Sequence, residues 1–377
     1  MHLAGKLKIL GEGAQFDASG YPSKRALRFS FIYPAVGEGG KCVRLFKVLQ
    51  SNICENNCRY CANRRDRNFY RNTFEPDELA RLFMEYYLSN QVDGCFLSSG
   101  IVGNPDRSQE RMLMTLKILR QRYGYKGYIH TKILPGVSDE LIDEVAKFSD
   151  RLSINLEAPG QDYLSKLSAD KNFARLLSKL KKLSEINRMR PLKAGITTQL
   201  VVGAASENDR AIMNLAYRLY RNYGVWRVYY SGFVPLRDTP LENLPLCPPR
   251  REVRLYQADM LIRKYKFTPQ ELPFDEVGNL PKEIDPKLAW AQMHKELFPL
   301  EINSASFYEL IRVPGIGRIS AKRILETRKI NKIRELEQLK KLGTVVRRAQ
   351  NFITLDGRFF PRKEQEYQKY EEEQLFL

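Results

Sequence analysis

The feature that most constrains this chain is an alternation of strand-like and helix-like segments between about residues 41 and 241. Six apolar segments read as strands, and amphipathic helical segments separate them: CVRLFKVLQ, GCFLSS, YIHTKIL, RLSINLE, KAGITTQLVV and VWRVYYSGF. Strands that alternate with helices predict parallel strands joined by helical crossovers. This pattern fits a barrel or partial barrel, and it is equally compatible with an open doubly wound sheet.

Charge and composition narrow the class of protein. The 377 residues include 62 Lys or Arg and 44 Asp or Glu, a formal net charge of +18. Such a balance indicates polyanionic partners, nucleic acid first, although a merely basic cytosolic protein is the alternative. The start of the chain, MHLAGKLKIL, has no continuous apolar segment typical of a secretory signal, and no apolar run approaches the ~20 residues of a membrane span. We therefore expect a soluble, cytoplasmic protein without membrane association, in which thiols stay reduced.

Three of the six cysteines lie within eight positions, as Cys54, Cys58 and Cys61 in SNICENNCRYCANRR. In a reducing compartment this clustering indicates metal binding or catalysis. Three thiolates on one loop can hold three irons of a [4Fe–4S] cluster, and the fourth iron stays open to a substrate or cofactor. A structural zinc site usually has four ligands, and the other cysteines are isolated along the chain: Cys42, Cys95 and Cys247.

The cysteine motif resembles that of the radical S-adenosylmethionine (SAM) superfamily, CxxxCxΦC, with Tyr60 in the aromatic position. The alternative is a zinc knuckle or a chance spacing. The resemblance covers about residues 41–241 and implies a partial (β/α)6 barrel. It also implies a [4Fe–4S] cluster whose open iron chelates SAM, and cleavage of SAM to a 5′-deoxyadenosyl radical that removes a hydrogen atom from the substrate.

The same resemblance implies residues on the SAM side of the site. Ser98, Ser99 and Gly100 occupy the place of the family's Gly-Gly-Glu motif, whose backbone contacts the SAM amino group, but the acidic third residue is missing here. Asn155 and Glu157 share a strand face and are candidates for the methionine carboxylate or the ribose, or are ordinary polar loop residues.

Further along the chain, Gly203 matches a glycine-containing stretch of the family that passes the adenine of SAM. The alternative is a simple strand-end glycine. We expect Glu207 to cap the following helix. The substrate side is less defined, and no catalytic residue is assigned. Two pairs at strand ends could line the barrel mouth, although packed residues are the commoner case: His130 with Lys132, and Tyr229 with Ser231. Cys247 could donate a hydrogen atom or bind a metal, but an inert thiol is favoured; Cys95 is expected in the core.

The C-terminal stretch NSASFYELIRVPGIGRISAKRILETRK predicts two short helices joined by a turn at Gly315 and Gly317. Amides at the start of the second helix can bind phosphate without reading sequence, and three basic residues stand beside the turn: Arg318, Lys322 and Arg323. The stretch resembles the helix-hairpin-helix DNA-binding motif. A degenerate second copy follows, with Gly343 in its hairpin and Arg347 and Arg348 after it. A packing or protein-docking hairpin is the alternative, but residues 301–363 hold 15 Lys or Arg against 6 Asp or Glu.

The combination resembles radical SAM proteins described as DNA modification or repair proteins and associated with a uracil-DNA-glycosylase-like partner. It implies an enzyme that binds the DNA backbone without sequence specificity, takes electrons from a donor and modifies or repairs a nucleotide. The alternatives are an RNA-modifying radical SAM enzyme and a non-catalytic DNA-binding iron–sulfur protein that recruits a repair partner. We expect an α/β fold with a TIM-like partial barrel and a small all-α C-terminal domain, divided as follows: an N-terminal extension (1–40), the barrel (41–241), a Pro-rich loop, helix and connector (242–299), the helix-hairpin-helix domain (300–363) and an acidic tail (364–377).

Overall fold

A seven-stranded sheet organises the first of the two units into which the chain divides. The structure is a computed structural model that describes residues 3–15, 31–36 and 42–361. The first unit comprises Met1–Glu207 and Arg218–Pro248, and the second comprises Asn208–Tyr217 and Pro249–Leu377. The acidic tail and much of the N-terminal extension lie outside the described residues, and the division into five segments stays a prediction.

The strands of the sheet follow one another in sequence order: β1 (Ile32–Val36), β2 (Cys42–Leu49), β3 (Gly94–Ser98), β4 (Tyr128–Lys132), β5 (Arg151–Ser153), β6 (Ile196–Val202) and β7 (Arg227–Gly232). Strands β2 to β7 are parallel, and β1 pairs antiparallel with β2. A doubly wound sheet would reverse its strand order at a switch point, so the sequential order selects the curled half-barrel. The six predicted strands are confirmed, whereas β1 was not predicted.

Helices connect the parallel strands, as predicted: α2 (Pro76–Leu88), α3 (Pro105–Lys117), α4 (Asp139–Ala146), α5 (Gln161–Leu167), α6 (Phe173–Met189) and α7 (Asp209–Tyr223). Another helix, α1 (Leu3–Ala14), precedes β1. Local sequence explains the helix starts: Asn104 accepts a hydrogen bond from the Arg107 amide at the start of α3, and Pro105 holds the first helical position. Every residue of β3 and β6 is buried, which is typical of parallel strands covered on both faces.

Strand β5 is shorter than predicted, because the chain leaves the sheet after Ser153. Glu157 adopts a left-handed backbone conformation with φ of 65° and returns to the sheet through an isolated bridge with Leu200. The prediction that Asn155 and Glu157 lie on one strand is therefore wrong, and the geometry of a loop decides where their side chains point.

The second unit is mainly helical and contains two helix pairs: α10 (Phe307–Leu310) with α11 (Arg318–Thr327), and α12 (Leu336–Lys341) with α13 (Val346–Ala349). Two further helices precede them, α8 (Pro249–Tyr265) and α9 (Pro286–Met293). The predicted apolar seam is buried throughout: Leu310, Val313, Ile316, Ala321 and Ile324. Helix α9 was not predicted. Neither was a small sheet of β8 (Leu300–Glu301), β9 (Ile353–Leu355) and β10 (Arg358–Phe359), which adds strands to the expected helices.

Candidate functional site

The three motif cysteines line one pocket in the first unit, on the loop that follows β2. Cys58 is buried and Cys54 and Cys61 are half-buried, and all three are free thiols. Burial raises the pKa of Cys54, and burial together with the neighbouring Cys58 raises the pKa of Cys61 to about 12. Such thiols keep their protons until a metal displaces them, because metal binding requires the thiolate.

The carboxyl ends of the parallel strands complete this pocket with one residue or more from each of five strands: Leu49, Ser98, Lys132, Val201 and Ser231. Loops and side chains at this edge of a parallel sheet commonly form the functional site. The cysteine motif therefore lies where the order of strands and helices predicts the site.

The segment Ser98, Ser99 and Gly100 also lines the pocket and packs against the cysteine loop through its backbone. The Gly100 amide donates a hydrogen bond to the Ser51 carbonyl at 2.7 Å. A Cβ atom at Gly100 would lie 2.1 Å from the Ile53 carbonyl oxygen and 3.2 Å from the Cβ of Cys54. Glycine is needed here because the two backbones approach closely.

Asn155 and Glu157 both line the pocket and are buried, although they follow a strand that has already ended. The Lys171 ammonium donates hydrogen bonds to Glu157 Oε1 at 2.9 Å and to the Tyr60 hydroxyl at 3.3 Å. Burial, followed by the Glu157 carboxylate, raises the pKa of Tyr60 well above its usual value. Burial lowers the pKa of Lys171, but Cys58 and Glu157 outweigh it, and the net pKa is raised. Lys171 was missed, because no local motif marks a lysine 110 residues from Cys61 in the chain.

Gly203 follows the last residue of β6 directly, as the strand-end alternative expects, and a role beside the adenine stays a prediction. Its φ is 93°, and its amide donates to Glu207 Oε1 at 2.5 Å, while the Ala205 amide donates to Glu207 Oε2 at 3.0 Å. Glu207 therefore closes the turn after β6, and the Asn208 side chain caps α7 by accepting a hydrogen bond from the Ala211 amide at 2.9 Å, which corrects the expectation for the cap. Among the described residues that line the pocket, Gln199 and Val201 represent β6, and Gly203 does not.

The weaker candidates separate into pocket residues and packed residues. Lys132 and Ser231 line the pocket. His130 is buried, its Nε2 lies 2.8 Å from Ser153 Oγ, and burial lowers its pKa well below the usual value. Tyr229 is buried beside Arg151, whose Nη1 lies 3.4 Å from the tyrosine hydroxyl.

Two of the isolated cysteines, Cys95 and Cys247, are buried, so the expected core position of Cys95 is confirmed, whereas an inert Cys247 thiol stays a prediction. Burial raises the pKa of Cys95, within β3, to about 12. The Cys247 amide donates a hydrogen bond to the Phe233 carbonyl at 2.9 Å, so its backbone supports a residue of the pocket wall.

Arg71, which the sequence did not reveal as a site residue, holds the backbone of the cysteine loop. Its guanidinium stacks 3.9 Å from the centre of the Phe69 ring. It donates hydrogen bonds to five backbone carbonyls of the loop, those of Asn52, Asn63, Arg64, Arg65 and Arg67. A single planar group with several fixed donors thereby orders the segment that contains the motif.

In the second unit, each helix pair turns at a glycine with positive φ, Gly315 at 81° and Gly343 at 89°. The two turns contact one another: the Val345 amide donates to the Gly315 carbonyl at 2.9 Å, and Ser320 Oγ donates to the Gly343 carbonyl at 2.8 Å. A Cβ atom at Gly315 would lie 2.5 Å from the Val345 carbonyl oxygen. Gly317 precedes the first residue of α11, so the amides of that helix start are near the turn, as predicted.

The predicted phosphate-binding side chains differ in exposure. Four of them are exposed around the turns: Arg318, Lys322, Arg323 and Arg347. Arg348 is different, because its guanidinium forms an ion pair with Asp285 and is only 21% exposed. Its setting therefore makes it part of the support of the hairpin.

A buried lysine lies beneath the first hairpin. Lys287, in α9, donates a hydrogen bond from Nζ to the Ile316 carbonyl at 2.7 Å, and its ammonium lies 4.8 Å from the centre of the Tyr265 ring. Burial, and then the Arg348 charge, lower the pKa of Lys287 to about 7. From the sequence, this region is expected only to be a connector, and no role was predicted for Lys287.

Comparison with known families agrees with both sites. Residues 48–217 match the radical SAM superfamily, and residues 299–348 match the helix-hairpin-helix motif. No curated protein matches the chain. The chain therefore carries an iron–sulfur enzyme domain of the radical SAM superfamily, followed by a helix-hairpin-helix motif. The cofactors of that domain are a [4Fe–4S] cluster and SAM.

Several solved structures resemble the chain in fold. The [FeFe]-hydrogenase maturase HydG from Carboxydothermus hydrogenoformans is 16% identical, with a TM-score of 0.48, over 57% of this chain and 50% of that chain. Methylornithine synthase (PylB) is 14% identical, with a TM-score of 0.44, over 56% and 60%. A radical SAM methyltransferase from Sphaerobacter thermophilus is 15% identical, with a TM-score of 0.42, over 62% and 76%. The chain thus spans about half the length of HydG.

The residues of the pocket fit these cofactors. The pocket contains three free thiols, a backbone segment without room for a Cβ atom at Gly100, and polar groups from Asn155 and Glu157. In the described part of the chain, no three His, Cys, Asp or Glu side chains are arranged to hold one metal ion. A [4Fe–4S] cluster needs one thiolate at each of three irons, which Cys54, Cys58 and Cys61 can supply. Across residues 3–15, 31–36 and 42–361, no helix is long and apolar enough to cross a membrane.

Proposed function

We propose that this protein is a radical SAM enzyme that binds DNA through its C-terminal unit and modifies or repairs a nucleotide. One observation carries the proposal: the chain that holds the cysteine pocket also holds two packed helical hairpins with exposed cations around their turns. When bound, the cluster and SAM supply a 5′-deoxyadenosyl radical that can remove a hydrogen atom from a substrate.

The chain's own residues bind and shield these groups. The thiolates of Cys54, Cys58 and Cys61 would hold the cluster. The backbone from Ser98 to Gly100 would accept hydrogen bonds from the SAM amino group. Asn155 and Glu157 offer buried polar groups for the other hydrophilic parts of SAM. Apolar side chains of the pocket wall exclude water, which protects a reactive radical from side reactions: Ile133, Leu134, Phe233 and Val234.

The C-terminal unit supports DNA as the bound polymer. Residues 301–363 carry a net charge of +9, and the exposed cations around the turns suit phosphate, which contributes affinity without sequence information. Gly317 has no side chain with which to cap the start of α11, and the Arg318 amide contacts the Tyr265 hydroxyl. The helix-start amides after Arg318 are therefore the ones that we expect to face an anion. An enzyme that acts on a base must take it from the stack or find it single-stranded.

The proposed partners are an electron donor and a uracil-DNA-glycosylase-like protein, and the cytoplasmic location also stays a prediction. The function is tested by reconstituting the protein anaerobically, reducing it and adding SAM with duplex DNA, single-stranded DNA or RNA. Formation of 5′-deoxyadenosine that DNA stimulates is the expected result. If RNA stimulates the formation of 5′-deoxyadenosine and DNA does not, the result would favour an RNA-modifying enzyme. No formation with an intact cluster would favour a non-catalytic protein that recruits a partner.

A double variant tests the nucleic-acid interface separately. Gly317→Val with Arg318→Glu should weaken DNA binding by at least about tenfold and reduce the dependence of log Kd on log salt concentration, because a phosphate contact is lost. Lys329→Glu, an exposed change two residues beyond the end of α11, is the control for charge alone. Binding curves that are unchanged over a salt series would contradict the assignment of the hairpin.

A further inference from the structure

A five-residue segment, Leu167–Lys171, begins at the last residue of α5 and runs toward α6, and it contacts four consecutive residues of the cysteine loop. The Asn57 amide donates to Asp170 Oδ2 at 2.6 Å, and the Arg59 amide donates to the Leu167 carbonyl at 2.8 Å. These backbone contacts lie on either side of Cys58. They fix the chain direction at the central cysteine of the motif from a part of the sequence more than 100 residues away.

Ser168 contacts Cys58 directly. The two side chains are buried, and Ser168 Oγ lies 3.4 Å from Cys58 Sγ. When Cys58 is a thiolate it can only accept a hydrogen bond, so the serine hydroxyl must then be the donor. The contact therefore becomes an O–H···S hydrogen bond to a cluster ligand.

Lys171 brings a positive charge to the same place. Its ammonium is buried between Glu157 and Tyr60, and its charge interacts with all three motif cysteines. The Glu157 carboxylate, 2.9 Å from the ammonium, is a nearby negative charge. Lys171 and Glu157 therefore place a buried positive charge and a buried negative charge beside the cysteine loop, and each can be removed separately.

We propose that Leu167–Lys171 is the seat of the cysteine loop and that Ser168 and Lys171 raise the reduction potential of the bound cluster. Reduction adds one electron, so the reduced cluster with its thiolates is more negative than the oxidised one. A hydrogen-bond donor to a ligand sulfur and a nearby cation stabilise the more negative state. Ser168 and Lys171 act through the ligands and are positioning residues.

Removing either charge of the buried ion pair should shift the reduction potential, with opposite signs for the two residues. Lys171→Met removes a positive charge and should lower the potential. Glu157→Gln removes a negative charge at nearly constant shape and should raise it. A segment that only supported the fold would not produce shifts of opposite sign, because loosening the loop has no such dependence on charge.

The test is a reductive titration of the reconstituted full chain with dithionite as the one-electron source, followed by electron paramagnetic resonance of the reduced cluster. SAM and nucleic acid are left out, so the result is independent of the proposed function. At a fixed potential we expect the ratio of reduced to oxidised cluster to fall about 3- to 10-fold in Ser168→Ala and in Lys171→Met. Tenfold corresponds to about 59 mV for one electron. In Glu157→Gln the ratio should rise.

Matched controls come from the neighbouring helix. Ser165→Ala and Lys166→Met remove the same groups from exposed positions on α5 and should leave the ratio unchanged. Ser168→Thr keeps a hydroxyl donor and should stay closer to the parent protein than Ser168→Ala. If Ser168→Ala assembles no cluster, the seat is supported and the ion-pair variants decide the effect on potential. Equal potentials for Lys171→Met, Glu157→Gln and the parent chain would overturn the proposal.

Discussion

Adding one methyl group at Gly100 tests whether the end of β3 determines the position of the cysteine loop. In Gly100→Ala the new Cβ atom would lie 2.1 Å from the Ile53 carbonyl oxygen and 2.9 Å from its carbonyl carbon. Close carbon–oxygen contacts are usually about 3.3 Å or longer, so the two backbones must separate by roughly 1 Å. The atoms that must move belong to the backbone, so no change of side-chain rotamer can relieve the close contact.

The displacement falls on a metal ligand, because Cys54 follows Ile53 directly and its own Cβ lies 3.2 Å from the added atom. Metal–ligand distances tolerate about 0.2 Å, so a shift of roughly 1 Å is incompatible with three simultaneous iron–sulfur bonds. Overpacking of this kind costs about 1–3 kcal/mol. For a unit of this size, about 2 kcal/mol lowers Tm by roughly 4–8 °C.

The assay measures iron and sulfide per chain after anaerobic reconstitution, together with thermal unfolding of the metal-free protein. We expect Gly100→Ala to bind substantially less iron and to melt at a lower temperature. Gly160→Ala is the control, because a Cβ atom there would meet only Tyr163, at 3.9 Å, and its iron content should match the parent. A Gly100→Ala protein with full iron content and unchanged Tm would refute the argument from close approach.

Two other predictions concern residues that no motif revealed. Arg71→Met removes the donors that hold five loop carbonyls and should cost roughly 3 kcal/mol of unfolding free energy, measured by denaturant titration. The reconstituted variant should also lose iron on dilution. Arg81→Met, an exposed change on α2, is the control and should change the unfolding free energy by no more than about 0.5 kcal/mol. Lys287 has a folded pKa of about 7, below its unfolded value. The unfolded chain therefore binds more protons above about pH 7, and the unfolding free energy of the second unit should rise with pH, by at most about 1.4 kcal/mol per unit. Lys287→Met should flatten this rise in denaturant titrations at about pH 7 and about pH 9, and an equal slope in both proteins would count against a depressed pKa.

Local pattern was enough for the parts of the fold that depend on local interactions. The order of six strands and their helices, the apolar seam of the first hairpin and the place of the cysteine motif after a strand all follow from periodicity and turn residues. Elements without a strong local signal were missed. Strand β1 is an antiparallel addition at the sheet edge, and α9 lies in a stretch interrupted by prolines.

The choice between a doubly wound sheet and a half-barrel needed the strand order, which alternating periodicity does not contain. The same holds for Glu157, whose position depends on a left-handed residue and an isolated bridge to β6. The cap of α7 shows how a local expectation fails: the Glu207 carboxylate accepts hydrogen bonds from amides of the preceding turn, and it is the Asn208 side chain that accepts from the Ala211 amide in the helix.

By itself, the sequence determined which thiols are grouped, because their spacing is a property of one short segment. It also determined the basic character of the C-terminal unit, since net charge is a sum over residues. Only the tertiary structure decided what surrounds those groups. Arg71, Ser168 and Lys171 reach the cysteine loop, and Lys287 reaches the hairpin carbonyl, across contacts that join distant parts of the chain. Such contacts depend on how packed elements meet in space, and no periodicity within a segment records them.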